Sequence, residues 1–350
     1  MLRKSSVLVL DKGSIGGGTS SKSSRLIHGG LRYLETMRFG LVHEALHDRL
    51  ELLQLYPDLV VMRPFFLPVY KTSPRPVWMI WIGVKLYDLL AGWQNKYRSE
   101  LVDQETFHRQ FLAIKRDGIR AVLKYYDGKT NDYALTKRVA EEAQQHGGVI
   151  CERAQVTAVV WNENGFAITV GDRVYRSKIL VNATGPWIDE VVMRYDLPAR
   201  FQIRKISGIH IFVDGLLTPE PMFLQTQGKR IFFIIPEPEN GQTMIGTTER
   251  EESEMIDDVA VQDNDVDYLI REVNAYLTDD RQIRRANVTN AFVGVRPLVA
   301  QKADPTNLSR EYELDLHTRG DSKLLNVFGG KLTTYLSLSR HAMKVLEVKR

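Results

Sequence analysis

Apolar residues along this chain fall into two spacings. Short continuous runs at 7–10 (VLVL) and 179–181 (ILV) read as buried strands, and 324–328 (LLNVF) as a further short strand. Further strand-like runs lie at 155–161, 166–170, 173–177, 209–213, 231–235, 243–248 and 293–298. Helical spacing is carried by Val42, Leu46, Leu50 and Leu53 within 39–56, where Pro57 stops the helix. It recurs in Leu135, Val139 and Ala143 within 133–146, with Asp132 as the expected N-cap and Gly147-Gly148 as the end. Residues 265–277 and 332–348 are also expected to be helical. Between them, 58–130 mixes short apolar runs with turns expected at Pro64, Pro68, Pro74 and Pro76. No internal repeat is visible.

This order predicts an α/β protein in which a dinucleotide-type domain is interrupted by a mixed, mainly antiparallel one. The expected boundaries are 1–56, 131–190 and 321–350 for the first domain, and 57–130 with 191–320 for the second, substrate-binding domain.

Composition narrows the chemistry. The 350 residues carry 47 Lys and Arg against 43 Asp and Glu, a net charge of +4. That balance argues against nucleic acid as a partner, yet leaves room for a local cationic pocket. The single cysteine, Cys151, excludes an internal disulfide framework and Cys-ligated zinc or iron–sulfur sites, and suits a reducing compartment. No metal site is expected. The most apolar stretch, VWMIWIGV at 77–84, is far short of the roughly 20 residues a spanning helix needs. No secretory signal is visible at the start.

Several local patterns suit a phosphate-bearing ligand. Asp11 ends the first strand, where a carboxylate either accepts ribose hydroxyls or opens a turn before Gly13. The segment GGGTSSKSSRLIHGGLRYLE, 16–35, combines close-approach glycines with the hydroxyls and amides of Thr19, Ser20 and Ser21. A flexible linker would not alternate with Leu26, Ile27, Leu31 and Leu34. NATGPW, 182–187, puts Ala183 and Gly185 in a small turn after a buried strand. FGGKLTTY, 328–335, is a strand, two glycines and a helix start, and exposed amides there favour negative charge. Arg32, Arg296, Arg310 and Lys331 recur in glycine or proline contexts, and a phosphate needs two or three such donors. His210 lies inside an apolar run. It is either a core histidine or, among cations, a candidate base.

Taken together, TSSKSSRLIHGGLRYLE, RPVWMIWIGVKLYD, NATGPW, MIGTT, GVRPL and FGGKLTTY resemble the FAD-dependent glycerol-3-phosphate dehydrogenases of the aerobic, quinone-reducing kind. The resemblance spans residues 7 to 345. It implies a D-amino-acid-oxidase-like fold, FAD as cofactor, and oxidation of sn-glycerol 3-phosphate to dihydroxyacetone phosphate with electrons passed to quinone. It places Asp11, Thr19, Ser20, Ser21, Gly29, Gly30, Val156, Ala183, Gly185, Gly330, Lys331 and Leu332 along the cofactor. Arg32, Tyr33, His210, Arg296, Arg310 and Lys331 would form the substrate pocket, with His210, Arg296 and Arg32 closest to the chemistry. A cytoplasmic location with peripheral contact at the inner face of the membrane follows from the same resemblance; Trp78, Trp81, Trp93, Arg75 and Lys85 suit either such a contact or a core helix of the second domain.

The chain departs from the family pattern in two ways. Family members carry a strand, a G-x-G-x-x-G turn and a helix ahead of VLVLD, a unit of about 30 residues, and a helical C-terminal domain. Two other readings therefore stand beside the dehydrogenase. One is a related flavin oxidase that uses oxygen; the other is an inactive remnant unable to hold FAD.

Overall fold

A computed structural model gives the structure of residues 6–93, 95–301, 304–309 and 312–347. Helix Phe39–Leu55 forms where the apolar spacing predicts it. Val42 and Leu46 are fully buried, but Leu50 and Leu53 are only half-buried. The same face instead buries Asp48 and Arg49, each with partners. Helix Asp132–Gln145 starts one residue earlier than expected. Its cap is Asn131, whose side-chain oxygen accepts the Ala134 amide at 3.1 Å. Asp132 is therefore not the cap; it is the first helical residue and is buried. The closing segment begins as a tight 3-10 turn, Leu332–Thr334, before helix Tyr335–Val345. Residue 348, its expected last position, lies outside the described residues.

Among the described residues the largest sheet has eleven strands. Its main path runs Asp304–Ser309, Val288–Gln301, Phe201–Asp214, Gln242–Gly246, Ile231–Glu237, Met222–Gln225, Val60–Tyr70, Ile119–Thr130 and Leu26–Ile27. Every pairing is antiparallel except the one between Met222 and Phe66. Pro64 and Pro68, expected at turns, sit inside Val60–Tyr70. The strand tolerates them because Ile119–Thr130 pairs along one edge, while the other edge is paired only at Phe66.

Parallel pairing, expected between segments distant in sequence within one sheet, occurs in two further places, which lie in two separate small sheets. Leu8–Leu10 pairs with Val149–Cys151, and Ile179–Asn182 pairs with Ser322–Phe328. Val156–Asn162, Gly165–Val170 and Arg173–Ser177 form an antiparallel meander.

The two faces of the large sheet bury different clusters. Ile209, Ile211 and Val213 face one core, closed by Val266, Leu269 and Val273 of helix Asp263–Asn274. Phe212 faces the other, with Val42, Leu46, Val84 and Tyr87 of helices Phe39–Leu55 and Val77–Leu90. Because strand side chains alternate, His210 shares the second face with Phe212. That alternation positions the site.

Candidate functional site

One segment threads past nearly every group of interest. After strand Leu8–Leu10, the Asp11 carboxylate accepts the Gly13 amide at 2.7 Å. Gly16 then passes Tyr133, and Gly18 passes Trp187 of the NATGPW turn. Thr19–Ser21 forms a 3-10 turn, with the Ser21 hydroxyl donating to the carbonyls of Gly17 and Gly18. Lys22 packs so tightly on Gly294 that a Cβ there would overlap its carbonyl. Ser24 meets His210, Ile27 meets Gly128, and the His28 amide donates to Thr333 Oγ1 at 3.3 Å. The Gly29 amide donates to Tyr87 Oη at 2.7 Å. Gly30, at φ 76°, turns the chain into the 3-10 helix Leu31–Thr36, which carries Arg32 and Tyr33.

His210 is buried, at 4 % exposure. Its Nε2 lies 2.8 Å from Ser24 Oγ, and its ring stacks on Phe292 with centroids 4.9 Å apart. Gly246 on the neighbouring strand makes room: a Cβ at that position would overlap the imidazole. Burial first, and then the charges of Arg296 and Arg25, together lower the His210 pKa to about 3. The ring is therefore neutral at ordinary pH, and its Nδ1 is buried with no hydrogen-bond partner among the described residues.

Arg296 donates from Nη2 to the Thr248 carbonyl at 3.0 Å, and its Nη1 lies 3.5 Å from Glu249 Oε1. Arg32 reaches the same Glu249 oxygen at 3.9 Å. Arg32 and Arg296, 264 residues apart by 296 − 32, thus converge on one carboxylate. Lys331 places its ammonium 4.8 Å from the centroid of the Tyr33 ring. Its Nζ is buried and has no hydrogen-bond partner among the described residues. His28 is also held down to about 3, by desolvation first and then by Lys331 and Arg49.

A buried network supports this loop from beneath. Arg49 Nη1 and Tyr87 Oη both donate to Asp127 Oδ1, each at 2.7 Å, and Arg49 also donates to the Tyr126 carbonyl. Tyr87 in turn receives the Gly29 amide. Arg75, 9 % exposed, forks onto the Glu35 carboxylate and donates to Gln225 Oε1 at 3.0 Å. This corrects one expectation: Arg75 anchors the Arg32 helix and is not available to a membrane surface.

Arg32, Tyr33, His210, Arg296 and Lys331 are thus brought together. Arg310 lies outside the described residues. Asp11, Thr19, Ser20, Ser21, Gly29 and Gly30 follow the single threading segment. Ala183 is exposed in its turn, and Gly185 takes φ 58° with open space where a Cβ would stand. Val156, whose carbonyl accepts Tyr195 Oη at 2.6 Å, begins the meander. Gly330, at φ 92°, precedes Lys331 and Leu332 where the 3-10 turn opens the closing helix. Sequence reasoning missed Ser24, His28 and Glu249. His28 sits within the singled-out 16–35 segment and Glu249 directly follows MIGTT, but neither has a local pattern that marks a role.

An extended anionic dinucleotide fits these residues. The Asp11 carboxylate spends Oδ1 on Gly13, which leaves Oδ2 for a hydroxyl. The Thr19–Ser21 turn and the open Gly185 backbone offer donors, and the buried Lys331 ammonium offers positive charge. Comparison with known proteins agrees. The family model described as FAD dependent oxidoreductase matches residues 1–335. The aerobic glycerol-3-phosphate dehydrogenase of Escherichia coli (strain K12) is 35% identical, over 97% of this chain and 68% of its own length. The D-erythritol 1-phosphate dehydrogenase of Brucella abortus (strain 2308) is 34% identical over 97% of this chain and 68% of its own. Among solved structures, the glycerol-3-phosphate dehydrogenase from Bacillus halodurans complexed with FAD superimposes with a TM-score of 0.74 at 19% identity, over 99% of this chain and 61% of that one. By its matched residues and these relatives, the chain belongs to the FAD-dependent oxidoreductases.

Proposed function

We propose that the protein oxidises sn-glycerol 3-phosphate to dihydroxyacetone phosphate and passes the electrons to quinone. The observation that carries this reading is the ammonium of Lys331, buried with no hydrogen-bond partner among the described residues and set over the ring of Tyr33, whose sequence neighbour Arg32 shares one carboxylate with Arg296. A desolvated cation excess favours an anion of more than one charge, such as a phosphoester, over an amino acid carboxylate. In this reading Arg32, Arg296 and Lys331 hold the phosphate, and Arg310 belongs to the same set. The Tyr33 ring carries the Lys331 ammonium.

Bound FAD supplies the acceptor for hydride from the substrate carbon. His210 takes the proton of the reacting hydroxyl. With Nε2–H donated to Ser24 Oγ, its Nδ1 lone pair is the accepting site. A pKa of about 3 makes it a weak base while the pocket holds only cations. The dianion offsets Arg296, and so strengthens the base when substrate arrives. The domains expected from the sequence, 1–56 with 131–190 and 321–350 for FAD, and 57–130 with 191–320 for substrate, serve this division.

Contact with the cytoplasmic face of a membrane belongs to the same proposal, since quinone resides there. Helix Val77–Leu90 buries Ile80, Val84 and Tyr87, and leaves Trp78, Ile82 and Leu89 exposed at 62%, 57% and 69%. Trp93 follows at 96%. Trp81 is half-buried, with the Lys85 ammonium 4.3 Å from its ring centroid. No helix among the described residues is long and apolar enough to cross a membrane.

Anaerobic mixing of the flavin-loaded protein with glycerol 3-phosphate tests the substrate. Bleaching of the flavin band is expected with glycerol 3-phosphate, and none with glycerol or glycine. Bleaching by glycine alone sinks the proposal, and faster bleaching by D-erythritol 1-phosphate moves it to a longer polyol. Hydrogen peroxide formed in stoichiometric amounts with product would replace quinone by oxygen as acceptor. Failure to co-sediment with anionic liposomes would remove the membrane contact.

A further inference from the structure

We propose that Tyr87 is a positioning residue for the anion pocket, its hydroxyl fixing the turn from which Arg32 and Tyr33 enter that pocket. The proposal rests on the reading of the pocket as a phosphoester site. Three observations lead to it. First, the Tyr87 hydroxyl ties the turn to a buried base. It accepts the Gly29 amide and donates to Asp127 Oδ1, each at 2.7 Å. Burial and the Asp127 charge hold the phenol far above its usual range, so its proton stays in place for that donation. Arg49 holds Asp127 from the other side, and Tyr87, Asp127 and Arg49 are all nearly sealed from water. A hydrogen bond in so dry a setting is costly to leave unmade.

Second, the turn has no play. A Cβ on Gly29 would overlap both Leu46 and the Tyr87 hydroxyl, so its backbone is clamped between helices Phe39–Leu55 and Val77–Leu90. Gly30 then caps the 3-10 helix Leu31–Thr36, and its carbonyl accepts the Tyr33 amide at 2.9 Å. The far end of that helix is pinned at Glu35 by Arg75, and Tyr87 holds the near end. Third, the helix delivers two members of the pocket. Arg32 reaches the Glu249 carboxylate, and the Tyr33 ring carries the Lys331 ammonium. Tyr87 acts on both through the Gly29 amide. That amide also faces the Asp127 carboxylate. Without the hydroxyl, the carboxylate is its remaining acceptor, and the turn shifts toward it.

The test combines steady-state kinetics of the flavin-loaded protein on glycerol 3-phosphate with calorimetric titration by inorganic phosphate. Tyr87→Phe removes one oxygen and keeps the ring. Small misplacements of binding groups are costly, so the KM and the phosphate dissociation constant should both rise roughly tenfold, with kcat changed less than about threefold. Gly29→Ala pushes on the turn from the same point and should raise both constants too, so a poorly folding variant does not stop the test. Arg49→Ala is the control for a merely structural role. It removes the cation beside Asp127 and leaves the Tyr87 hydroxyl in place. It should lower the melting temperature more than Tyr87→Phe does, while KM stays within about twofold of the parent. An unchanged KM and phosphate affinity in Tyr87→Phe, or a KM that rises as much in Arg49→Ala, overturns this inference alone. No phosphate binding by the parent protein overturns the phosphoester reading with it.

Discussion

Acidification probes the cationic pocket through His210. The folded protein holds this ring at about 3 instead of 6.5, first through burial and then through Arg296 and Arg25. Between those two values the folded state binds fewer protons than the unfolded chain. Stability is therefore complete above pH 6.5 and falls as the pH drops toward 3. At pH 5 nearly all unfolded-state histidine is protonated, whereas the buried ring is protonated about 1% of the time, which corresponds to a loss of about 2 kcal/mol. Urea unfolding at pH 7.5 and pH 5 measures it, with His210→Gln as the reference that removes this titration. All other groups contribute alike to both proteins, so the parent should lose about 2 kcal/mol more than the variant. Equal losses would refute the assignment of a desolvated, cation-flanked imidazole. Saturating phosphate should shrink the difference, because an anion near Arg296 raises the histidine toward its ordinary range.

Three further outcomes follow from the packing. Arg49→Ala leaves Asp127 buried without its cation and should cost roughly 3–5 kcal/mol of stability in chemical denaturation; a cost below about 1 kcal/mol would contradict the buried pair. Gly246→Ala drives a methyl into the His210 ring, so thermal melting should show a loss of about 1–3 kcal/mol together with a large fall in turnover. Lys331→Met removes a desolvated charge and should leave the melting temperature unchanged or raised, while the substrate KM rises at least tenfold; a KM that does not move would detach Lys331 from the substrate.

Period and punctuation in the sequence determined most of the elements. The 3.6-residue repeat of Val42 and Leu46 gives helix Phe39–Leu55, and alternating short runs give the meander of residues 156–177. FGG before LTT gives the turn that delivers Lys331. These are local matters of backbone preference and of which face is apolar, so a single stretch of chain encodes them. The same locality explains the misses. Asn131 and Asp132 are both good caps, and only the helix geometry chooses between them. Pro64 and Pro68 read as turns until a one-sided strand pairing accommodates them.

The pocket itself was decided by tertiary structure. The sequence marked Arg32, Arg296, His210 and Lys331 as cationic or titratable, but not their separations. The placing of His210 and Arg296 follows from the register of Phe201–Asp214 against Val288–Gln301 and Gln242–Gly246, and that of Arg32 and Lys331 from the turns at Leu31–Thr36 and Leu332–Thr334. A slip of one residue would turn His210 into the core that Ile209 and Ile211 occupy and turn those two out of it. Ser24, Glu249 and the burial of Asp48 and Arg49 have no sequence signature, because a polar side chain shows its partner only once distant segments meet. The depressed pKa values of His28 and His210 arise the same way, from desolvation and from charges contributed by residues far along the chain.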